Sequence, residues 1–442
     1  MGTKTEPGIR PVTLVLLLAI GCTAAAGRTI YVDDDDGPAN FNNIQAAIDD
    51  SNNSDTIVVE EGTYFENINF RGKNIVLTST DPNNPDIVAA TIIDGMGNGS
   101  VVTFENGEDP NCVLSGFTIT NGYAHGPWPN NRGGGICCRS NPTIANCIIS
   151  DNSGEYGGGM YGGSIGVTII DNCTFSRNVA SHGGGGILLE GDYPTLTKCT
   201  FIENSANLGG GLYGSGNPLL TLTNCIFSNN SATHSGGGIY QNVGYPLLAN
   251  CVFYKNSASN GGGMYAFDCS PVLTNCIVFE NSPNQLHALD GGLLVKYSDV
   301  QGGWPGEGNI DVDPNITRLG YWDNNGTPDD PEDDFLVEGD YHLKSQAGRY
   351  DPNTKTWVKD DITSPCIDAG DPLSPIMYEP FPNGGRINMG AYGGTAEASK
   401  SYFGEPPCQT IVAGDINGDC EVNFTDFAIM GLHWLDVPEP DY

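Results

Sequence analysis

Six cysteines recur along the middle of this chain at steps of 26, 26, 26, 26 and 25 residues: Cys147, Cys173, Cys199, Cys225, Cys251 and Cys276. Glycine triplets fall once per unit, at 133–135, 157–159, 184–186, 209–211, 236–238 and 261–263. So do the asparagines Asn152, Asn178, Asn204, Asn230, Asn256 and Asn281. Three columns sharing one period define a structural repeat. Each unit reads roughly G-G-G-apolar-Tyr, a turn, L-x-L, N-C-x-F and x-x-N, with Cys137 and Leu188 interrupting the Tyr column. Short alternating runs cut by Gly, Asn, Ser and Pro are strand-and-turn chemistry, with no room for a helix. One such unit cannot bury its own apolar face. Stacked units can, each coil pairing its backbone with its neighbours at a spacing of about 4.8 Å.

The expected fold is all-β: a parallel β-helix with three short strands per coil of about 26 residues. Alternation places three files inside: the aliphatic file Ile136, Met160, Ile187, Leu212, Ile239, Met264; the cysteines; and Ile149, Phe175, Phe201, Phe227, Phe253, Val278. Glycines allow turns where a Cβ would clash. The asparagines are expected at a bend, their amides bonded coil to coil. Less regular strand–turn units run from Thr56 to Gly122, and Phe41 to Ser51 has helical spacing suited to capping the N-terminal end. The β-helix domain is expected over residues 27–310, and Thr29 to about Val300 has room for roughly ten coils, or about 50 Å at that rise.

The signatures G-G-G-[ILM] and F-x-x-N resemble the repeats of secreted and surface β-helix proteins, including the polymorphic outer-membrane adhesin type. The implied fold resembles the right-handed pectin-lyase-like superfamily. SPCIDAGDP (364–372) with GGRINMGAYGG (384–394) is similar to the C-terminal region of many secreted bacterial β-helix proteins. The resemblance implies fold more sharply than activity, because this fold hosts lyases, hydrolases and non-enzymes.

The ends read differently. Lys4 and Arg10, the apolar run Val12 to Ile20 and the small residues Ala24 to Ala26 form a secretory signal peptide over residues 1–26, too short to span a bilayer. A lipoprotein signal ending at Cys22 is the variant reading. No later apolar run reaches membrane length. The expected location is secreted or at the cell surface. With 53 acids against 18 bases the net charge is −35, which argues against nucleic acid and fits a protein that binds cations. The acids concentrate in an irregular C-terminal extension, 311–404. Its stretch 323–334 is an acid-rich loop with a second reading as a calcium site.

Fourteen cysteines in an exported chain invite a disulfide framework. One inward cysteine per coil is instead what a small apolar filler looks like. Cross-linking is expected off the column, at Cys269, the pair Cys137–Cys138, and Cys408 with Cys420. Tyr161, Tyr213, Tyr240 and Tyr265 each follow an inward aliphatic residue, so they should face outward on one sheet. Such a row suits the apolar faces of sugar rings; cross-strand stacking that stiffens the sheet is the plainer reading. His182 and His234 sit in polar turns.

Related lyases need carboxylates that hold Ca2+ and a basic residue that abstracts a proton. The bases within the regular repeats, Arg139, Arg177, Lys198 and Lys255, have no acid pair in step with them. Of the motifs of related hydrolases, Asn-Thr-Asp, Gly-His-Gly and Arg-Ile-Lys are absent, and Asp-Asp pairs occur only outside the regular repeats. No catalytic residue is assigned. The strongest chemical motif lies in residues 411–442. Asp415, Asn417, Asp419, Glu421 and Asp426, with Asn423 between them, have calcium-loop spacing, and Phe427, Met430 and Trp434 share one face of a following helix. This segment resembles a single dockerin repeat, although Cys420 stands where a Gly is expected. The resemblance implies Ca2+ and a cohesin-like docking partner. The expected function is that of a secreted or surface protein binding polysaccharide, another glycan or a surface partner, linked to polysaccharide degradation. The alternative is a polysaccharide lyase or glycoside hydrolase, and a third reading is a purely structural spacer.

Overall fold

In the computed structural model the described residues are 27–34, 39–163, 166–191, 193–216, 219–323, 335–337, 339–402, and 422, 424 and 426–428. The repeats wind into a parallel β-helix. Eleven strands, from Thr29–Val32 to Leu294–Lys296, form one sheet built on L-x-L (the Leu sheet). Ten strands, from Gly62–Phe65 to Asp299–Val300, form the Phe sheet, and nine, from Ile68–Asn69 to Leu286–Leu289, form the Tyr sheet. Pairing is in register from coil to coil, Leu196 with Leu222, Phe201 with Phe227 and Leu212 with Ile239.

The three expected strands per coil are present, and five coils add a fourth. A fourth sheet of five strands, from Tyr123–Ala124 to Ser231–Ser235, runs between the Phe and Tyr sheets. Its sequences (VASHG, SANL, SATHS) have little apolar alternation and bury only one small apolar side chain each, Ala180, Ala206 and Ala232, so backbone pairing dominates their assembly.

The corners explain the Gly and Asn content. The first glycine of each triplet has positive φ, as at Gly184 and Gly209 (67° and 61°). At the second, space forbids a side chain: a Cβ on Gly210 would lie 2.3 Å from the Ser231 carbonyl oxygen. Non-glycine residues also take left-handed corners. Asn172, Lys198, Asn224 and Asn250 turn from the Leu to the Phe sheet with φ of 49° to 55°, and Arg177, Glu203, Asn229 and Lys255 turn away from the Phe sheet with φ of 51° to 56°.

The aliphatic, cysteine and aromatic files are fully buried. Phe175, Phe201, Phe227 and Phe253 stack at centroid spacings of 5.2, 4.5 and 5.0 Å. Asn178, Asn204, Asn230 and Asn256 form a buried amide ladder with Nδ2 to Oδ1 distances of 3.0, 3.0 and 2.9 Å. The eleven described cysteines are all free and buried. This overturns the cross-links expected at Cys137, Cys138 and Cys269. Cys138 and Cys269 place their thiols on the carbonyls of Ser140 and Gln241, at 3.2 and 3.6 Å, while Cys137 packs outside the coil against Tyr161 and Leu188. Cys408 and Cys420 lie outside the described residues.

Helix Ile44–Asp50, capped by Asn43, packs Ile44, Ala47 and Ile48 into the first coil's core. The described residues of 311–402 form short antiparallel hairpins and irregular turns that fold back along the solenoid's flank. There the outer face of the Phe sheet turns apolar: Thr174 and Thr200 give way to Ile226, Val252 and Ile277. Tyr341, Leu343, Cys366, Ile367, Met389 and Ala391 cover this strip. Corner asparagines clamp the same segment. Asn224 donates to the carbonyls of Ala391 and Gly393 at 2.8 and 2.9 Å, Asn250 donates to the Asn388 carbonyl at 2.9 Å, and Asn275 accepts from the Asp371 N–H at 2.7 Å. Among the described residues no helix is long and apolar enough to cross a membrane.

Candidate functional site

Tyr161, Tyr213, Tyr240 and Tyr265 stand on the outer face of the Tyr sheet, as their spacing requires. They do not form an evenly exposed row. Tyr213 and Tyr240 are half-buried, whereas Tyr161 and Tyr265 are only 5% and 8% exposed. Tyr213, Tyr240, Tyr265 and His287 stack at 5.1, 5.5 and 5.1 Å, with interplanar angles of 4°, 4° and 15°. Coil-to-coil spacing is close to ring-stacking distance, so neighbours cover each other's faces. An inner ring therefore offers an edge instead of a face to any ligand at this row.

Tyr161 belongs to a cluster that the sequence reading missed. Arg132, at the end of the long turn after Tyr123–Ala124, donates to the Tyr161 hydroxyl and to Glu190, the latter at 2.7 Å. The hydroxyl in turn donates to Glu190 Oε2 at 2.8 Å. The guanidinium lies 4.6 Å from the Tyr161 ring centre and 5.3 Å from that of Tyr156. Burial, and then Glu190, push the Tyr161 hydroxyl up to about 12. Glu190 ends the strand Ile187–Glu190, two residues after Leu188 and on the same outward side. That placement was a readable signal; the partner Arg132, 58 residues away, was not. Arg132 and Glu190 thus form a closed ion pair on the outer face of the Tyr sheet. Other bases of the repeat region are also paired: Arg177 grips Asp151 at 2.7 and 2.5 Å, Arg139 lies 3.7 Å from Glu105, and Lys255 lies 3.8 Å from Glu280. Lys198 lines a cleft of about 590 Å3 between the Leu–Phe corner and the extension, with Asp171, Asn172, Tyr392 and Glu397. Burial raises the Asp171 carboxyl above its ordinary value.

His182 and His234 are exposed, His182 stacking on Tyr156 at 4.8 Å. Among the described residues no group of three His, Cys, Asp or Glu is arranged to hold a metal. The calcium-loop residues Asp415, Asn417, Asp419 and Glu421 lie outside the described residues, as do residues 324–334 of the second acidic stretch. Asp426 is buried in a helical stretch that also contains the exposed Phe427.

The fold is that of a parallel β-helix with a flanking extension. The family model described as "Right handed beta helix region" matches residues 76–242 and 165–301, which together span half of the chain. The chain belongs to this right-handed β-helix family. A second family model, "Disaggregatase related", matches residues 328–370. No curated protein sequence matches the chain. Similar solved structures include a pectate lyase at 16% identity and TM-score 0.47, covering 83% of this chain and 96% of its own. A pectin methylesterase from carrot is similar at 13% identity and TM-score 0.33, covering 65% and 84%. One from Aspergillus niger is similar at 14% identity and TM-score 0.35, covering 65% and 91%.

Proposed function

We propose that this chain is a secreted or cell-surface β-helix protein that binds polysaccharide through the outer face of its Tyr sheet. The supporting observation is the row Tyr213, Tyr240, Tyr265 and His287, which lines ring edges along the solenoid at coil spacing. Tyrosine hydroxyls in such a row suit the hydroxyls of an extended glycan. With Arg132 closed on Glu190, binding without chemistry is the reading favoured at this face. Residues 1–26 serve as the export signal. Asp415, Asn417, Asp419, Glu421 and Asp426 hold one Ca2+, and the loaded tail docks to a cohesin-like partner in a polysaccharide-degrading system.

The test is a panel of neutral and acidic polysaccharides incubated with the full chain and Ca2+. Retention without unsaturated or reducing ends is expected; appearance of such ends would replace binding with lyase or hydrolase activity. Tyr213→Phe with Tyr240→Phe should weaken retention, and unchanged retention removes the Tyr sheet from the reading. Calorimetry should detect one calcium site in the full chain that is absent from an Asp415→Ala, Asp419→Ala variant.

A further inference from the structure

The turn that leads from the Tyr sheet into the Leu sheet carries an unexplained feature. Two residues before each Leu-sheet strand, four successive coils place a large apolar side chain: Val167, Tyr193, Leu219 and Tyr245. Register pairs Ile169 with Thr195, Thr195 with Thr221, and Thr221 with Leu247, so the four share one line along the solenoid axis. They are 44%, 50%, 37% and 67% exposed. Single exposed apolar residues are ordinary, but a line of them sustained over four coils marks a contact surface.

Tyr193 and Tyr245 are two coils apart, or about 9.6 Å at the strand spacing. Unlike the rings of the Tyr sheet, they do not stack in adjacent coils, because Leu219 separates them. We propose that this ridge is a platform for an extended, neutral, β-1,4-linked polysaccharide lying parallel to the solenoid axis. In such a chain every second sugar presents the same face, so a two-coil step matches a two-sugar step. Each ring stacks on the C–H face of one sugar, and the aliphatic side chains fill between. The outward side chains Thr195, Thr197, Thr221 and Thr223 flank the ridge with hydroxyls. The ridge and these threonines carry no charge. A protein of net charge −35 repels an anionic polymer, which selects a neutral chain over a uronate-rich one. This inference goes beyond the reading above, using a different face and committing to one ligand class.

Full-length protein is tested for retention on microcrystalline cellulose and by titration with cellohexaose, with thermal melts confirming that each variant folds. Tyr193→Ala with Tyr245→Ala should weaken binding roughly tenfold or more, the loss expected from removing two buried rings. Tyr193→Phe with Tyr245→Phe should leave binding intact, because stacking needs the ring and not the hydroxyl. The Tyr213→Phe, Tyr240→Phe variant, which tests the Tyr-sheet reading, is titrated alongside. Absence of binding to both probes, or equal binding by the double-alanine variant, overturns the ridge. Loss only in the Tyr-sheet variant overturns it while sustaining the Tyr-sheet reading.

Discussion

The side-chain oxygen of Asn230 accepts two hydrogen bonds from Asn204 of the preceding coil, from its backbone N–H at 3.1 Å and its Nδ2 at 3.0 Å. The second Nδ2 hydrogen of Asn204 goes to the Phe175 carbonyl at 2.8 Å, and Asn204 Oδ1 receives the same pair of bonds from Asn178. Each rung thus satisfies polar groups of its neighbours in a site closed to water.

Asn204→Ala leaves donors on Asn178 buried without acceptors. Each of the two orphaned donors costs about 1–3 kcal/mol, so the variant should lose about 2–6 kcal/mol in all. Chemical denaturation should show a clear fall in midpoint, and Asn204→Asp should not rescue it, because a buried carboxylate there faces the Phe175 and Asn230 oxygens.

Gly210→Ala places a methyl group 2.3 Å from the Ser231 carbonyl oxygen and 2.6 Å from that of Gly237. Both contacts are backbone of the next coil, so relief requires prying two coils apart. Destabilisation of several kcal/mol is expected, on the order of the worst overpacking penalties. Gly216, with open space around it, differs: there the cost of alanine comes only from φ of +65°.

The eleven described thiols should resist alkylation in the native protein at mildly alkaline pH. Burial holds Cys173, Cys199 and Cys251 well above ordinary thiol values, and reagents have no path to them. Peptide mapping after labelling should find these positions unmodified until denaturant is added. Native labelling at Cys199 would mean that the coils open.

Stability should fall as pH rises from about 5 to 8. Burial lifts the Glu379 carboxyl to about 7, partly offset by the N–H groups of Asn388 and Gly394, and lifts Asp299 to about 6. Between Glu379's ordinary value of 4.5 and about 7 the folded chain holds a proton that the unfolded chain has released. Stability is therefore lost with rising pH, up to about 3 kcal/mol from Glu379 alone. His342, raised by Asp340 and Glu397 against its burial, adds a loss of the same sign as it deprotonates. Melting curves at pH 5 and 8 should show this slope, and Glu379→Gln should flatten it.

The solenoid was legible because its period repeats the same evidence in every coil: Cys173, Phe175 and Asn178 are restated at Cys199, Phe201 and Asn204. What repeats weakly was missed, such as the fourth sheet, whose Ser-Ala and Val-Ala strands carry no apolar alternation. Ring orientation was invisible too, since nothing in a column of tyrosines says whether faces or edges point outward until the stacking distance is known. Contacts made once, like Arg132 with Glu190 or Asn224 with Ala391, have no second copy to reveal them. The change from Thr200 to Ile226, Val252 and Ile277 on the outer Phe sheet was a readable sign that something covers those coils.

That cover ties coil number to chain geometry. Asn224, Asn250 and Asn275 hold successive points of one folded segment, as a key engages fixed wards. Duplicating a coil upstream of Thr195 would lengthen the protein and leave this engagement intact. Duplicating one between Asn224 and Asn275 would shift half of the partners by a whole rung. Growth and shrinkage of the array are thus confined to its N-terminal half.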